Sequence, residues 1–491
     1  MPNIFKPQII IPLLIIEITL LLPFEIFWAM SVGGLNISLV VAIFVFIISF
    51  FDIIFILDSI YNIVIGSFGL FPKNLPKDKI GNLIIPSTNS QTYPQTQDLQ
   101  SQKLQKLHKF VLIICAHNEQ FVIGNTLEQM IKVKYPKSLL KVVVVCDNCS
   151  DQTAKIANQI AHKLPFEHKD FITVLERSDK VNKGKPFAVK FAFDWIDEHI
   201  PDYEAVSIAD ADNIYHLQFF EVMNWRLCTG SHILQGYLGI KNPYDSWVST
   251  GSTLSYSASA LVYFASRENL NMSSTVGGTG FVLSRYILKK VGWDMGSLTE
   301  DLEFSTKAVL MGEKIDFAYD AITYDEKPTD LRASYHQRKR WMQGHHDVAQ
   351  QYIWKLLKAL FNPKTKNRLS VFDYTLYLIR PIKKMWYAYF FSAIVLVYLT
   401  NSFGFYQIDL VPKDPIIIWL ILAMALILEY SGAILEGFKW WKLPHILYYY
   451  TIFNLNDYLA TFAGIFLKTK KGVWVKTEHK ITTTVEAIAN D

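Results

Sequence analysis

The chain has 491 residues, roughly three domain-sized units, and length enough for a large buried core. Hydrophobic residues make up 51% and mean hydropathy is +0.18, which excludes a disordered chain and argues against a wholly soluble one. The net charge of +4 is too small to mark a nucleic-acid binder, and 23 Gly with 4 Cys exclude collagen and a disulfide scaffold.

The apolar excess is clustered. Residues 8–30 are almost wholly apolar, broken by Glu17 and Glu25, and residues 35–57 carry one charge, Asp52. Each run is long enough to span about 30 Å of hydrocarbon at roughly 1.5 Å per residue. No small-residue cleavage site follows Met30, so residues 1–84 read as an N-terminal membrane region with two transmembrane helices. Residues 85–107, rich in Gln, Ser and Thr, read as a polar linker.

Residues 108–348 then alternate strand and helix. Phe110–Ala116, Val142–Cys146, Phe171–Leu175 and Ala205–Ala209 are short apolar runs of the kind buried on both faces of a sheet. Helical stretches separate them at Val122–Val133, Asp151–Leu164 and Lys185–His199. This order implies an α/β domain built from right-handed βαβ units, with ligands at the carboxyl ends of the strands. Polar groups stand there: His117-Asn118-Glu119 after the first strand, Asp147 to Asp151 after the second, and Asp210-Ala211-Asp212 after the fourth. No G-x-G-x-x-G follows the first strand, which argues against an ordinary dinucleotide fold.

Asp210 and Asp212 can turn toward one hard cation, Mg2+ or Mn2+, and its phosphates, or stand in a solvated turn. Asp147 can accept hydrogen bonds from a nucleobase or ribose, and Asp151 can equally cap the next helix. Cys146 and Cys149 form a lone C-x-x-C and read as reduced structural thiols. Lys183-Gly184-Lys185 opens a helix and suits a phosphate. Ser297 with Glu300 matches a capping box and Gly312 a C-terminal cap, leaving Asp301 on a rigid mount as a general base. Gln337, Arg340 and Trp341 share one helical face, suited to a diphosphate and a sugar ring or to an interfacial surface, to which His345-His346 also belongs.

Beyond the domain, residues 349–384 read as interfacial helices. Residues 385–443 read as two transmembrane helices, with spans at 385–400 and 415–435. Residues 444–491 read as an interfacial or re-entrant segment and a tail, because Asn454, Asn456 and Asp457 interrupt the apolar stretch. Lysines flank the spans at 73–79, 383–384, 439–442 and 468–471, while the loops at 31–36 and 401–414 carry only Lys413. That bias places both termini and the large middle segment in the cytoplasm of a multi-pass protein of the cell membrane.

Seven motifs in order resemble the membrane-embedded synthases of glycosyltransferase family 2, such as cellulose, chitin and hyaluronan synthases. They are Ala116-His-Asn-Glu119, Asp147 to Asp151, Lys183-Gly-Lys185, Asp210-Ala-Asp212, Gly277-Gly-Thr-Gly280, Thr299-Glu-Asp301 and Gln337-Arg-Lys-Arg-Trp341. His117 stands where the family usually has Tyr. The resemblance implies a GT-A-like nucleotide-diphospho-sugar transferase domain with a mixed, mostly parallel sheet, flanked by transmembrane helices. It implies that Glu119, Asp147, Lys185, Asp210 and Arg340 bind a nucleotide-sugar donor, a UDP-sugar, and that Asp212 binds the metal. Asp301 would be the catalytic base of an inverting transfer. Gly278, Thr279, Gly280, Glu300, Gln337 and Trp341 would bind the acceptor, a polysaccharide or a lipid. Four spans are few for a polymer channel, which leaves room for a homodimer or an accessory export subunit. A single-addition transferase acting on a lipid, and a non-enzymatic membrane scaffold, are the competing readings.

Overall fold

The computed structural model describes residues 53–72 apart from 55, 106–386, 416–439, 441, 443–468 and 479–490. The expected membrane runs over residues 8–30, 35–52 and 387–400, and the linker up to residue 105, lie outside these. Among the described residues, no helix is long and apolar enough to cross a membrane. The chain divides into two units, Met1–Ile65 with Lys383–Ile427 and Gly66–Ile382 with Leu428–Asp491. In the first unit the buried Lys383 ammonium lies 2.9 Å from both carboxylate oxygens of Asp58.

The second unit holds an eight-stranded sheet: β1 Phe110–Ala116, β2 Leu140–Asp147, β3 Ile172–Arg177, β4 Ala205–Asp210, β5 Ile214–Tyr215, β6 Ile233–Ile240, β7 Phe281–Ser284 and β8 Asp316–Asp325. The strand order is β3-β2-β1-β4-β7-β6-β8-β5. The helices are α1 Ile123–Lys132, α2 Thr153–His162, α3 Lys185–His199, α4 Phe219–Cys228, α5 Trp247–Ser259, α6 Arg285–Val291, α7 Glu300–Leu310, α8 Leu331–Phe361, α9 Arg368–Leu378, α10 Ile416–Leu435, α11 Leu443–Phe466 and α12 Val485–Asn490. β1 to β4 are parallel, joined by α1, α2 and α3 as the apolar runs imply. β7 runs antiparallel between β4 and β6, and β6 pairs parallel with β8, so the sheet is mixed and mostly parallel.

The core sits in two layers. Phe110, Leu112 and Ile114 of β1 point to the layer shared with α1, α2 and α4. Val111 and Ile113 point to the opposite layer, shared with α3, α7, α8 and α9. All five are fully buried. The period of two turns one continuous apolar strand into two sealed faces, each large side chain contributing about 1.5–3 kcal/mol.

One local expectation is corrected. Ser297 and Glu300 form no capping box: α7 begins at Glu300 itself, and its N-cap, Thr299, makes no side-chain cap bond. Glu303 reaches back instead, its Oε2 accepting the Gly296 and Ser297 N–H groups at 3.0 Å each. Glu300 is thereby left for the site. Gly312 does end the helix, with φ +77° and the Gly312 N–H donating to Val309 O and the Glu313 N–H to Ala308 O.

Candidate active site

The carboxyl ends of β1 and β2 form two loops stitched together. Asn118 and Asn148 turn the chain with φ of +58° and +52°, a conformation Asn tolerates better than most residues. The Ser150 N–H donates to Asn118 Oδ1 at 2.8 Å, and the Glu119 N–H to Thr153 Oγ1 at 2.8 Å. Asp151 precedes the N-cap of α2, Gln152, whose side chain makes no cap bond, and its Oδ1 accepts the Thr153 N–H at 3.0 Å. Asp147 is buried, and Arg177 at the end of β3 lies 2.6 Å from its Oδ1 and 2.8 Å from Asp179. Arg177 thus belongs to the same strand-end set as Glu119 and Asp147. The sequence places polar groups at the first, second and fourth strand ends, and Arg177 is their counterpart at the third.

Lys185, the first residue of α3, ties two motifs together. Its ammonium donates to Asp210 Oδ1 at 2.5 Å and to Gly278 O at 2.7 Å. Burial opposes its charge, but Asp210 and Glu300 outweigh that and hold its pKa above the ordinary lysine value. Gly278 has φ +80°, and a Cβ there would sit 3.3 Å from Asp301 Oδ2, so the glycine loop runs directly along the proposed base. Thr279 turns inward instead: it is buried and its hydroxyl donates to Asn213 Oδ1, which also accepts the Asp210 N–H at 2.8 Å. Gly280, with φ +61°, has Thr323 Oγ1 2.7 Å from its would-be Cβ.

α7 and α8 close this side. Burial pushes Glu300 up to about 7, with Asp301 adding to the rise, and burial also holds Asp301 above the usual carboxylate range. Arg340 on α8 is half-buried; burial lowers its pKa, against which Glu300, Asp210 and Asp301 favour its cationic form. Gln337 and Trp341 are half-buried on the same helix. His345 corrects the surface reading: it is buried, with Nε2 3.1 Å from Tyr377 O of α9. α8 comes this close because of Gly344, whose would-be Cβ lies 2.7 Å from both Thr299 Oγ1 and Cγ2. Gly344→Val should therefore destabilise the domain by about 1–3 kcal/mol and lower transfer by displacing Arg340. A thermal melt and an activity both like wild type would contradict this packing. On the other flank of α8, Arg338 pairs with Asp457 of α11 at 3.1 Å and lies over the Phe453 ring. The polar interruption of the stretch at 444–467 is thus matched by a charge on α8.

Sequence reasoning missed the last described segment. Asp212 is buried, and its Oδ2 accepts the Glu326 N–H at 2.9 Å. Burial favours protonation of Asp212, but His479, Lys241 and that N–H outweigh it and hold its carboxyl below the usual range. His479 Nδ1 lies 3.4 Å from Glu119 Oε2. Burial disfavours the imidazolium, yet Asp212 and Glu119 raise His479 to about 9. Glu326 anchors the segment, accepting the Lys480 N–H at 3.1 Å and the Ile481 N–H at 2.9 Å. Asn125 of α1 adds a bond to Thr483 O at 2.9 Å. No local pattern marks 479–483 for this position, since only tertiary contact brings it there. Glu326→Ala should loosen the segment about tenfold, the equivalent of one hydrogen bond to a charged group. Protease cleavage near Lys480 reads this, and an unchanged rate would contradict the anchor.

Asp210 and Asp212 fit a divalent cation in their donor chemistry, two hard carboxylates at one strand end. Among the described residues, no three His, Cys, Asp or Glu side chains form a complete metal site. A nucleoside diphosphate would have to supply the remaining oxygens.

Residues 108–344 match the family described as "Glycosyltransferase like family 2". This segment is similar to glycosyltransferase family 2 domains. The chain that carries the domain is 28% identical over 294 residues to the probable glycosyltransferase YdaM of Bacillus subtilis strain 168, covering 55% of this chain and 62% of that protein. It is 24% identical over 260 residues to a poly-beta-1,6-N-acetyl-D-glucosamine synthase of Staphylococcus epidermidis, covering 52% and 59%. The chain thus spans less than two thirds of the length of these curated relatives. Among solved structures, it is similar to the mannosyltransferase PcManGT of Pyrobaculum calidifontis in complex with GDP-Man and Mn2+, with a TM-score of 0.46 and 18% identity, covering 74% of this chain and 89% of that one. It is also similar to S. aureus TarS 1-349 in complex with UDP-GlcNAc, with a TM-score of 0.34 and 16% identity, covering 72% and 91%.

Proposed function

We propose that the protein is a membrane-embedded, inverting glycosyltransferase that moves a sugar from a UDP-sugar to the growing end of a polysaccharide. The observation that carries this reading is the convergence of Lys185, Asp210, Glu300, Asp301 and Arg340 beside the glycine loop of a domain similar to family 2. Similarity to a poly-beta-1,6-N-acetyl-D-glucosamine synthase supports a polymer product.

In this reading Glu119, Asp147 and Arg177 hold the nucleoside. Asp210 and Asp212 would hold Mg2+ or Mn2+, which neutralises diphosphate charge when bound. Asp301 takes the proton from an acceptor hydroxyl as that oxygen attacks the anomeric carbon. The bond from that carbon to the diphosphate oxygen breaks on the opposite face, so the configuration inverts. Lys185 and Arg340 face the charge that grows on the leaving diphosphate. Gln337 and Trp341 hold the acceptor end, with the glycine loop allowing its close approach.

The apolar runs at 8–30, 35–57 and 385–400, with lysines beside them, support a membrane-embedded chain with the domain on the cytoplasmic face of the cell membrane. A homodimer or an accessory export subunit would complete a path for the polymer.

The base must be ionised to act. Since burial raises the Asp301 carboxyl above its ordinary value of 3.8, the acidic limb of transfer should lie above that value. An acidic limb at or below the ordinary value of 3.8 would contradict the enclosed base. Product analysis tests the function itself. Long β-linked chains made from an α-linked donor support the reading. One sugar on a lipid would shift it to a glycolipid transferase, and retained configuration would overturn the inverting mechanism.

A further inference from the structure

The end of β8 carries polar side chains that the transfer chemistry leaves unused. Thr323 and Asp325 alternate with Tyr324, so they share one face of the strand. That face spans the gap between two parts of the site. At one end Thr323 packs on the glycine loop, its Oγ1 2.7 Å from the would-be Cβ of Gly280, two residues beyond the Gly278 that borders Asp301. At the other end the Glu326 N–H donates to Asp212 Oδ2 at 2.9 Å. Two residues of strand cover about 7 Å, room for one sugar ring between the cation side and the base.

The strand end is held rigidly. The Lys241 N–H donates to Asp325 O at 2.9 Å. The buried Asn242 side chain donates to Lys327 O at 2.8 Å and accepts the Lys327 N–H at 2.9 Å. The buried Lys327 ammonium lies 2.5 Å from Asp325 Oδ2 and 3.7 Å from the centre of the Tyr256 ring of α5. Two oxygens are left unspent. Asp325 Oδ1 and Thr323 Oγ1 are both buried with no hydrogen-bond partner among the described residues, and Thr323 as a whole is 1% exposed. Folded proteins rarely leave buried polar atoms unpaired, and two on one face beside a reaction site call for a shared partner.

We propose that Asp325 Oδ1 and Thr323 Oγ1 form the subsite that reads the transferred sugar, and that this sugar is an uncharged hexose or N-acetylhexosamine. The proposal names the substrate class of the donor site above and rests on that reading. An ionised carboxylate only accepts hydrogen bonds, so Asp325 requires an O–H or N–H of the sugar, while the Thr323 hydroxyl accepts from or donates to the next group on the ring. Lys327 occupies Oδ2 and leaves Oδ1 as the open acceptor. A uronic acid would set a second acceptor-only carboxylate against it.

The test measures binding calorimetrically, with the full chain in lipid nanodiscs, Mn2+ and no acceptor. The probes are UDP, UDP-glucose, UDP-galactose, UDP-N-acetylglucosamine and UDP-glucuronate. Asp325→Leu combined with Lys327→Met removes the ion pair as a unit, so no buried charge is stranded. Thr323→Val exchanges the unpartnered hydroxyl for a methyl of the same shape and keeps the test readable if the double variant does not fold. The neutral UDP-sugar that binds wild type most tightly should lose about tenfold or more in the double variant and about threefold or more in Thr323→Val, while UDP itself stays within about twofold in both. A parallel loss of UDP and UDP-sugar would assign these residues to the cation or the diphosphate and overturn the subsite. Unchanged binding of every UDP-sugar would overturn it as well, and tightest binding of UDP-glucuronate would overturn the substrate class. Wild type that binds no UDP at all would remove the donor site and this subsite with it, whereas UDP binding with the sugar unread removes the subsite alone.

Discussion

Asp301→Asn should lower sugar transfer by about three orders of magnitude or more while leaving UDP binding close to wild type. Asp301 sits in the first turn of α7, with its carboxylate along the glycine loop. Asn keeps its size and its acceptor oxygen but cannot take a proton. The nucleoside contacts assigned to Glu119, Asp147 and Arg177 lie at other strand ends and are untouched by the change. Binding and transfer therefore separate in this variant. Loss of UDP binding along with transfer would show that Asp301 holds the donor rather than serving as the base. Retained transfer would pass the role to Glu300, its neighbour in the same enclosed pair.

Arg340→Ala should lower transfer by about a hundredfold to a thousandfold, the usual loss for one preorganised group facing developing charge. Arg340 stands among Glu300, Asp210 and Asp301, which favour its cationic form. Without it, Glu300 and Asp301 repel each other with less compensation, so their already raised titration moves further up and the acidic limb of the rate profile shifts to higher pH. Arg340→Lys restores charge but not the planar fork, and should recover only part of the rate. A fall in acceptor affinity alone, with an unshifted pH limb, would remove Arg340 from the diphosphate side.

Much of this arrangement is legible in the sequence because the relevant strands are simple. β1 to β4 are unbroken apolar runs, and the rule that ligands gather at their carboxyl ends selects Glu119, Asp147, Asp210 and Asp212 directly. β6 is obscured by Gly236 and Gly239, which stand where Ala321 O and the Tyr324 ring leave no room for a Cβ. β7 is only four residues long. The spacing of Ser297 and Glu300 fits a capping box, but spacing cannot tell where a helix starts, and the start at Glu300 moved that residue from cap to site. His479 and Glu326 are far apart in the chain, and no local pattern links them to Asp212. Thr279 stands among glycines in the sequence, and only the fold shows its hydroxyl donating to Asn213.

The central claim is that these strand ends and α8 together hold and use a nucleotide sugar. UDP release by the full chain in lipid nanodiscs, across a panel of UDP-sugars with Mn2+ or Mg2+, tests it most directly. The account predicts turnover with one donor, dependent on the cation and absent in Asp301→Asn. No UDP release from any donor, by folded protein with the cation present, would contradict it.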